Sequence, residues 1–457
     1  MQIIKNINPY IFRGYDIRGV YPETINEDVA YTIGKSYGSY IQDLGKKECV
    51  IGHDNRLSSE SLTQALITGI LETGVSVTDL GLVTTPMYYD AWIVLNIPSG
   101  IMVTASHNPK DDNGFKFSFD ERGNAKGKMI EDFYQYTIKG NFKEGKGTYQ
   151  TYNIRPAYME LMKQSLSFGN RRVKAVIDLG NGTTSIIAKE LYEMFPIDVT
   201  VLYGESDGSF PNHHPDPCVE ENLTTLKQKV LELHADVGIG FDGDGDRLGI
   251  VSNEGKYIPT DLFMILIIRD IINKVDNKTF LYDVKCSKAL EDEILKLGGT
   301  PYCYRTGNSY TKAKVAEMDL AFGGELSGHV YFRDKFPGFD SGLYAGLRLL
   351  EILSKTDKSV TELLEGVPKY YATEEIKFAS PDDKKAKVVA EVEAYCKQKG
   401  YKMLTIDGIR VQFEDGWALV RMSNTGPNIT ARFEATTEER LQEIQAEFTA
   451  LIEKYNQ

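Results

Sequence analysis

The sequence is poor in three features that mark specialised classes of protein: cysteine, excess positive charge and long apolar segments. Its 457 residues include five cysteines, which are odd in number, scattered and never spaced as CxxC: Cys49, Cys218, Cys286, Cys303 and Cys396. This usage excludes a zinc-finger or disulfide framework and is typical of a reduced compartment. We therefore expect a cytoplasmic protein.

Positive charge is the second shortage. Lys and Arg together number 52 against 65 Asp and Glu, which gives a formal net charge of −13. Nucleic acids and anionic membranes are bound through a positive surface, so the balance argues against both as partners. An anionic small molecule stays possible because it needs only a local cluster of cations.

Long apolar segments are the third feature that the sequence lacks. The longest purely apolar run, residues 262–268, is far shorter than the ~20 residues that span a bilayer. The opening MQIIKNINPYIFRG has no basic region followed by a continuous apolar stretch. We therefore expect neither a membrane span nor a signal peptide, and no obligate protein partner is evident.

What the sequence does contain is ordinary globular composition, with 42% hydrophobic and 26% charged residues. Short apolar runs at 49–52, 174–177 and 280–282 are each followed by a polar loop and a helix-like segment. A second strand and loop follow in each block, at 100–109, 235–247 and 318–329. This recurrence predicts three related α/β domains, at residues 1–150, 151–255 and 256–366. The tail, 367–457, reads as strands alternating with helices, which predicts a different domain with a closing amphipathic helix.

The loop FDGDGDR, residues 241–247, carries the strongest local signal. Asp242, Asp244 and Asp246 alternate with glycines that can turn three carboxylates inward. Carboxylates so close repel one another unless a cation lies among them, and oxygen ligands favour Mg²⁺ or Ca²⁺ over zinc. An EF-hand is excluded because its required Gly and Glu positions hold Arg247 and Asn253.

A second loop, TASHNP at 104–109, follows the apolar strand GIMV. Ser106 falls at the end of that strand, although a lone serine there is more often a turn or capping residue. His107 is not expected to act as its base by adjacency, because neighbouring side chains on an extended strand point apart. Lys116 lies ten residues on in an apolar strand, where a buried amine beside a serine is unusual without a function.

Two further loops carry groups suited to binding a phosphorylated sugar. RMSNTGP, residues 421–427, combines a guanidinium, two hydroxyls and an amide, the groups of a phosphate cradle. GELSGH, residues 324–329, offers a carboxylate, a hydroxyl and an imidazole, which suit sugar hydroxyls. Taken alone, RMSNTGP is more typical of a surface turn, and GELSGH is equally typical of a plain loop.

These four loops, in this order, resemble the α-D-phosphohexomutase superfamily, and most closely its bacterial phosphomannomutase/phosphoglucomutase group. The segments YDIRG at 15–19, GHDNRLSS at 52–59, PNHHP at 211–215 and VKCS at 284–287 fit the same pattern. The resemblance covers nearly the whole chain. It implies three α/β-core domains followed by a fourth, α+β domain related to TATA-binding-protein folds.

The resemblance also implies roles for individual residues. Ser106 would carry a phosphoryl group and join the three aspartates around Mg²⁺, with a hexose 1,6-bisphosphate as activator. The catalytic set would be Ser106, His107, Lys116, Arg18 and Arg247, with Lys116 or Arg18 assisting proton movement. The sugar hydroxyls would meet Glu325 and Ser327. The phosphate that is not transferred would be held by Tyr15, Lys285, Asn308, His329, Arg421, Ser423, Asn424 and Thr425.

Two positions depart from the group's pattern. Asn308 stands where histidine is usual, so it can donate a hydrogen bond but carries no charge. Leu326 replaces methionine in the sugar loop, a near-isosteric change that weighs modestly against an amino-sugar substrate. The expected activity is interconversion of hexose 6- and 1-phosphates, of mannose, glucose or both. The alternatives are a phosphoglucosamine mutase, a non-catalytic sugar-phosphate binding protein and a phosphatase.

Overall fold

The computed structural model of the chain describes residues 1–381, 383–423 and 426–457. It contains two compact units. The first comprises Met1–Thr260 with Ser327–Leu363, and the second comprises Asp261–Leu326 with Leu364–Gln457. Among the residues described, no helix is both long enough and apolar enough to cross a bilayer. The domain limits near residues 150, 255 and 367 stay predictions.

The first unit begins with a mixed sheet in the strand order β1-β5-β4-β2-β3-β6. Its elements are β1 (Ile17–Val20), α1 (Glu27–Asp43), β2 (Glu48–His53), α2 (Ser59–Leu71), β3 (Ser76–Leu82), α3 (Thr85–Leu95), β4 (Gly100–Val103), β5 (Asp112–Ser118), α4 (Lys128–Lys139) and β6 (Tyr149–Thr151). Strands β2, β3, β4 and β6 run parallel, and β5 runs antiparallel to β1 and β4. A core of aliphatic and aromatic side chains, including Ile33, Leu66 and Phe117, lies between this sheet and its helices.

A second sheet in the same unit has the order β11-β10-β9-β7-β8. Its elements are α5 (Arg155–Ser165), β7 (Val173–Asp178), α6 (Ala188–Glu193), β8 (Ile197–Leu202), α7 (Thr224–Leu233), β9 (Val237–Phe241), β10 (Leu248–Ser252) and β11 (Tyr257–Ile258). Strand β9 runs parallel to β7, and β10 returns antiparallel to β9. The aspartate loop, residues 242–247, is therefore the tight connection between two paired central strands.

The chain then enters the second unit, where β13, β12 and β14 lie side by side and parallel. Its elements here are α8 (Thr260–Ile271), β12 (Thr279–Asp283), α9 (Lys288–Lys296), β13 (Thr300–Tyr304), α10 (Asn308–Glu317) and β14 (Phe322–Gly324). The chain next contributes three elements to the first unit: β15 (Val330–Phe332), α11 (Gly342–Leu353) and α12 (Val360–Leu363).

The tail forms an antiparallel sheet in the order β16-β21-β20-β19-β18, with β17 also paired to β21. Its elements are β16 (Tyr371–Ala372), β17 (Ile376–Ala379), α13 (Lys385–Lys399), β18 (Lys402–Leu404), β19 (Ile409–Phe413), β20 (Gly416–Met422), β21 (Asn428–Ala435) and α14 (Glu438–Tyr455). Side chains of both helices, such as Val392 and Phe448, share a core with Val411 and Phe433 of the sheet.

The predicted elements recur with small differences at their ends. The strands expected at 49–52, 174–177 and 280–282 lie inside β2, β7 and β12, and the closing helix is α14. The helix-like segment at 183–195 is the exception. It is split into a 3₁₀ turn, Thr183–Ile186, and the short helix α6. The turn holds two threonines and an isoleucine, whose branched side chains disfavour α-helix.

Candidate active site

The aspartate loop carries three carboxylates that are fully buried, those of Asp242, Asp244 and Asp246. The loop is closed by Asp242, whose Oδ1 accepts hydrogen bonds from the backbone N–H of Gly245 at 3.0 Å and of Arg247 at 3.1 Å. Gly245 has φ +79°, a left-handed conformation that glycine adopts without strain. The alternation of Asp and Gly thus produces the inward cluster expected from the sequence.

Positive charge from another part of the fold enters this cluster. Lys116 of β5 donates from Nζ to Oδ2 of Asp244 at 2.8 Å and to Oδ2 of Asp246 at 2.6 Å. Burial alone would lower the pKa of Lys116, but the two carboxylates outweigh it and raise that pKa. Burial would likewise raise the pKa of Asp244 and Asp246, but the ammonium lowers both. Arg247 acts on Asp242 only from 3.8 Å, so burial and the two neighbouring aspartates prevail and raise the pKa of Asp242 well above the usual range.

The three aspartates are suited to hold a metal ion. One ligand oxygen from each lies within 4.8 Å of the others. Oδ1 of Asp244 and Oδ1 of Asp246 are buried and accept no hydrogen bond from any residue that the structure describes, so each keeps lone pairs for a cation. An all-oxygen set favours a hard divalent ion. The residues present therefore fit the metal expected from the sequence.

Ser106 is brought into contact with this cluster. Its side chain is fully buried, and Oγ donates to Oδ2 of Asp242 at 2.8 Å. The backbone of Ser106 is left-handed, with φ +53°, and its N–H donates to Oγ1 of Thr104 at 2.9 Å. Ser106 and Asp242 are 136 residues apart in the chain, and their contact joins the serine loop and the three aspartates in one site.

The structure corrects the expectation that His107 and Ser106 point apart. That expectation assumed an extended backbone. The backbone at Ser106 is instead left-handed, and it turns the His107 side chain towards that of Ser106. Nδ1 of His107 lies 3.5 Å from Oγ of Ser106. Burial, together with the charges of Arg247 and Arg18, lowers the pKa of His107 well below its usual range.

Two arginines flank the serine loop, and one of them, Arg18, follows the predicted binding residue Tyr15 closely in the chain. Arg18 donates from Nε to Asp16 at 2.7 Å and from Nη1 to Oδ1 of Asn108 in the serine loop at 2.7 Å. Burial would lower the pKa of Arg18, but the charge of Asp16 outweighs it and raises that pKa. On the other side, Nε of Arg247 lies 3.8 Å from Asp242 and 3.8 Å from Asp246.

Part of the predicted sugar loop also lies in the first unit. Ser327 accepts a long hydrogen bond, 3.4 Å, through its carbonyl oxygen from Nη1 of Arg247. Nδ1 of His329 lies 2.8 Å from Oδ2 of Asp340 and 3.7 Å from Oδ1 of Asp246. His329 and Ser327 therefore accompany the serine and aspartate groups within one compact unit.

The remaining predicted binding residues lie in the second unit, where two of the cations face carboxylates. Nζ of Lys285 lies 3.4 Å from Oε2 of Glu375. Arg421 donates from Nε and Nη2 to the two oxygens of Asp407, at 3.1 and 3.3 Å. Burial would lower the pKa of Lys285, but Glu375 raises it. Both cations are thus held in place by carboxylates.

The other members of this set occupy turns and a helix start. Asn308 is the first residue of α10 and is buried. Oγ of Ser423 accepts from the backbone N–H of Gly426 at 3.2 Å. Asn424 and Thr425, predicted beside it, lie outside the described residues.

Glu325 is the sugar-loop carboxylate of the second unit, and it is almost fully buried, at 1% exposure. Its Oε1 accepts hydrogen bonds from the backbone N–H of Gly307, at 3.1 Å, and from the Thr311 hydroxyl. Gly307 immediately precedes α10, and Thr311 lies in the first turn of that helix. The carboxylate is thereby fixed in orientation.

Sequence reasoning missed the residues that orient the predicted ones. Thr85 donates from its hydroxyl to Oδ2 of Asp244 at 2.6 Å, and Asp340 and Asp407 hold His329 and Arg421. Of these residues, only Thr85 was indicated by the sequence. The run Thr84, Thr85 and Pro86 is typical of a helix start and so predicts a hydroxyl at the beginning of α3.

Comparison with known protein families gives four consecutive matches. They are phosphoglucomutase/phosphomannomutase alpha/beta/alpha domain I at residues 9–144, domain II at 156–255, domain III at 259–371 and the C-terminal domain at 375–451. The predicted fold class, three related α/β domains and a different fourth, is thereby confirmed.

Whole-chain relatives agree with these matches. A Pseudomonas syringae protein named phosphomannomutase/phosphoglucomutase is 40% identical over 446 residues, which are 97% of this chain and 95% of the relative. A Neisseria gonorrhoeae phosphoglucomutase is 38% identical over 454 residues, 98% of each chain. A solved phosphoglucomutase/phosphomannomutase family structure from Burkholderia thailandensis has a TM-score of 0.91 and 37% identity, with 98% of each chain covered.

Proposed function

The chain belongs to the phosphoglucomutase/phosphomannomutase family and is an enzyme of the mutase type, and from this premise we propose its substrates and mechanism. It interconverts the 6- and 1-phosphates of glucose and mannose. The phosphoryl group passes through Ser106, and a hexose 1,6-bisphosphate is the intermediate. The same bisphosphate, in trace amounts, charges Ser106 at the start.

The observation that carries this proposal is the contact between Ser106 and the aspartate loop. A hydroxyl within 2.8 Å of a carboxylate that can ligate a metal is placed to bear a phosphoryl group beside a cation. In the first half-reaction the bond from Oγ to phosphorus breaks as phosphorus bonds to a sugar hydroxyl oxygen. The proton released by that hydroxyl ends on Oγ of Ser106. The second half-reaction runs the same step backwards with the other sugar oxygen.

Negative charge on the phosphoryl group is the main obstacle to this transfer, and cations of the first unit oppose it. Asp242, Asp244 and Asp246 would hold Mg²⁺, which when bound neutralises charge on the phosphoryl oxygens. The ammonium of Lys116 and the guanidinium of Arg247 add two fixed positive charges. Lys116 or Arg18 assists the movement of the proton, and His107, within the serine loop, lies 3.5 Å from Oγ of Ser106.

The second unit supplies the recognition of substrate in this proposal. Lys285 and Arg421 bind the phosphate that is not being transferred, assisted by Asn308 and Ser423. Glu325, fixed by two donors, accepts hydrogen bonds from sugar hydroxyls, a role it shares with Ser327. A phosphate site separate from the serine allows either end of the sugar to be presented for transfer.

The test is a coupled assay of purified protein with mannose 1-phosphate and, separately, glucose 1-phosphate. Both reactions contain Mg²⁺ and a trace of hexose 1,6-bisphosphate. We expect 6-phosphate to form from both sugars, and Ser106→Ala to lower the rate by about 1000-fold or more. Turnover of glucosamine phosphate alone would instead identify a phosphoglucosamine mutase, and steady release of inorganic phosphate would identify a phosphatase. Binding without any turnover would identify a sensor.

A further inference from the structure

The segment Gly52–Ser59 runs from the end of β2 to the start of α2 and has no part in the mechanism above, yet it contains an arginine buried directly beneath the serine loop. The side chain of Arg56 has 0% exposure. Phe210 covers the guanidinium from one side, with the carbon Cζ 5.4 Å from the ring centre. A buried guanidinium must be offset by acceptors, so its partners indicate its role.

Those partners are backbone carbonyls of the serine loop. Nη2 of Arg56 donates to the carbonyl oxygens of Ser106 at 2.8 Å and Asn108 at 2.7 Å. Nη1 donates to those of Pro109 at 2.5 Å and Asp112 at 2.9 Å. One planar group therefore gathers four carbonyls that span the whole turn from the serine to the start of β5.

A carboxylate links this guanidinium to the other side of Ser106. Oδ2 of Asp54 lies 3.2 Å from Nε of Arg56 and accepts from the hydroxyl of Thr104 at 2.6 Å. The same Thr104 oxygen accepts from the backbone N–H of Ser106 at 2.9 Å. Both backbone polar groups of Ser106 are thus connected, through one or two bonds, to the Asp54–Arg56 pair.

The conformation held in this way is a strained one. Ser106 has φ +53°, a left-handed backbone that residues other than glycine, asparagine and aspartate adopt mainly when their surroundings enforce it. This conformation aims Oγ at Asp242 and brings His107 to 3.5 Å. The strain at Ser106 and the four-carbonyl contact of Arg56 are therefore two parts of one arrangement.

We propose that Arg56 is a positioning residue for phosphoryl transfer, which holds Ser106 in the left-handed conformation needed to accept and donate the phosphoryl group. The inference rests on the proposed function, because it concerns the rate at which Ser106 exchanges phosphate. It does not involve substrate recognition, since the predicted phosphate-binding cations Lys285 and Arg421 belong to the other unit.

Lysine cannot replace arginine in this role. Its ammonium has three donors at one point, whereas four carbonyls are reached here by a flat, rigid fork. Arg56→Lys keeps the positive charge beside Asp54 and loses that geometry. Arg348→Lys is the matched control, because Arg348 is also fully buried in the first unit and is paired with Asp334 at 2.9 Å and Glu351 at 3.2 Å.

The experiment measures single-turnover phosphorylation of Ser106 by glucose 1,6-bisphosphate, followed by intact-protein mass, together with KM for glucose 1-phosphate. We expect Arg56→Lys to slow phosphorylation about 100-fold, with KM within about threefold of wild type. We expect Arg348→Lys to lower the melting temperature by about as much as Arg56→Lys does. Its phosphorylation rate should stay within about threefold of wild type.

Two results would overturn the inference alone: Arg56→Lys phosphorylated at the wild-type rate, or Arg348→Lys slowed as much as Arg56→Lys. Wild-type protein that takes up no phosphate on Ser106 would reject the proposed function, and the inference with it.

If Arg56→Lys fails to fold, Thr104→Val tests the inference in its place. It breaks the link to the Ser106 N–H while conserving volume, and a phosphorylation rate equal to wild type would reject the inference. Its control is Thr137→Val, a buried threonine of α4 whose hydroxyl donates to the Phe133 carbonyl.

Discussion

Nζ of Lys116 lies 2.6 Å from Oδ2 of Asp246, an oxygen on the carboxylate whose other oxygen accepts no hydrogen bond. The lysine thus occupies one side of the aspartate and leaves the opposite side for a cation. The same division holds at Asp244, whose Oδ2 also contacts the ammonium. Lys116 therefore orients two carboxylates as well as balancing their charge.

Replacement of this lysine tests both roles. Lys116→Met removes the ammonium but keeps most of the chain length, so the three aspartates face one another with one fewer cation. We expect kcat to fall about 100-fold or more and the dissociation constant for Mg²⁺ to decrease about tenfold. Calorimetric titration and the coupled assay measure the two effects. Lys35→Met is the control, since Lys35 is buried with Glu144 at 2.8 Å. Unchanged Mg²⁺ affinity in Lys116→Met would contradict the prediction.

Metal binding should appear as stabilisation of the folded state. At Mg²⁺ concentrations about 100 times the dissociation constant, we expect the free energy of unfolding to rise by about 2.7 kcal/mol. Asp246→Asn should lose most of this gain, because the amide offers a weaker ligand at the oxygen that lacks a hydrogen bond. Denaturant melts with Mg²⁺ and with EDTA provide the measurement. Asp261→Asn, at a buried aspartate of the second unit, should keep the full response; an equal loss there would refute the assignment.

The carboxylate that holds Arg421 predicts a change in affinity. In Asp407→Asn the guanidinium loses its charged partner and its fixed direction, and we expect KM for glucose 1-phosphate to rise about 10-fold with kcat within about threefold. Steady-state kinetics separate the two constants. The control is Asp415→Asn, which breaks the Asp415–Arg440 pair, 3.0 Å apart, between the turn before β20 and helix α14. A rise in KM that is equal in both variants would count against the role of Asp407.

A buried carboxyl in α3 predicts how stability depends on pH. Asp90 is 3% exposed, its Oδ2 has no hydrogen-bond partner, and burial raises its pKa to about 6. Between its unfolded value of about 4 and this folded value, only the folded state holds the proton, so stability falls as pH rises through that range. Above pH ~6 the carboxylate is charged in both states and its full penalty applies.

Asp90→Asn removes that penalty. We expect the variant to be more stable than wild type by about 1–3 kcal/mol at pH 7.5 and to lose this advantage below pH ~4. Urea melts at a series of pH values measure the difference. A difference that is constant across the range would show that the carboxyl does not titrate as described.

Local patterns in the sequence sufficed for those parts of the fold and site that are built from adjacent residues. The alternating Asp242, Asp244 and Asp246 predicted a carboxylate cluster because two-residue spacing with glycine between places side chains together within one turn. The closing helix α14 was predicted in the same way, from the amphipathic pattern of its residues.

Partners brought together by the fold left no such pattern. Lys116 and Asp244 are 128 residues apart, and nothing near either one indicates the other. Arg56 reads in the sequence as one polar residue of a loop, and its burial depends on where the turn from Ser106 to Asp112 closes over it. The left-handed backbone at Ser106 likewise follows from these contacts, which is why the position of His107 was predicted wrongly.

The backbone at residue 106 also restricts which hydroxyl side chain can serve there as the proposed phosphate acceptor. Threonine presents the same hydroxyl, but its branch at Cβ is poorly tolerated at φ +53°. Asparagine, aspartate and glycine accept that angle but offer no hydroxyl. Among the twenty amino acids, serine alone combines an alcohol with this backbone conformation. A single base change from a serine to a threonine codon would therefore keep the hydroxyl but no longer direct it towards Asp242.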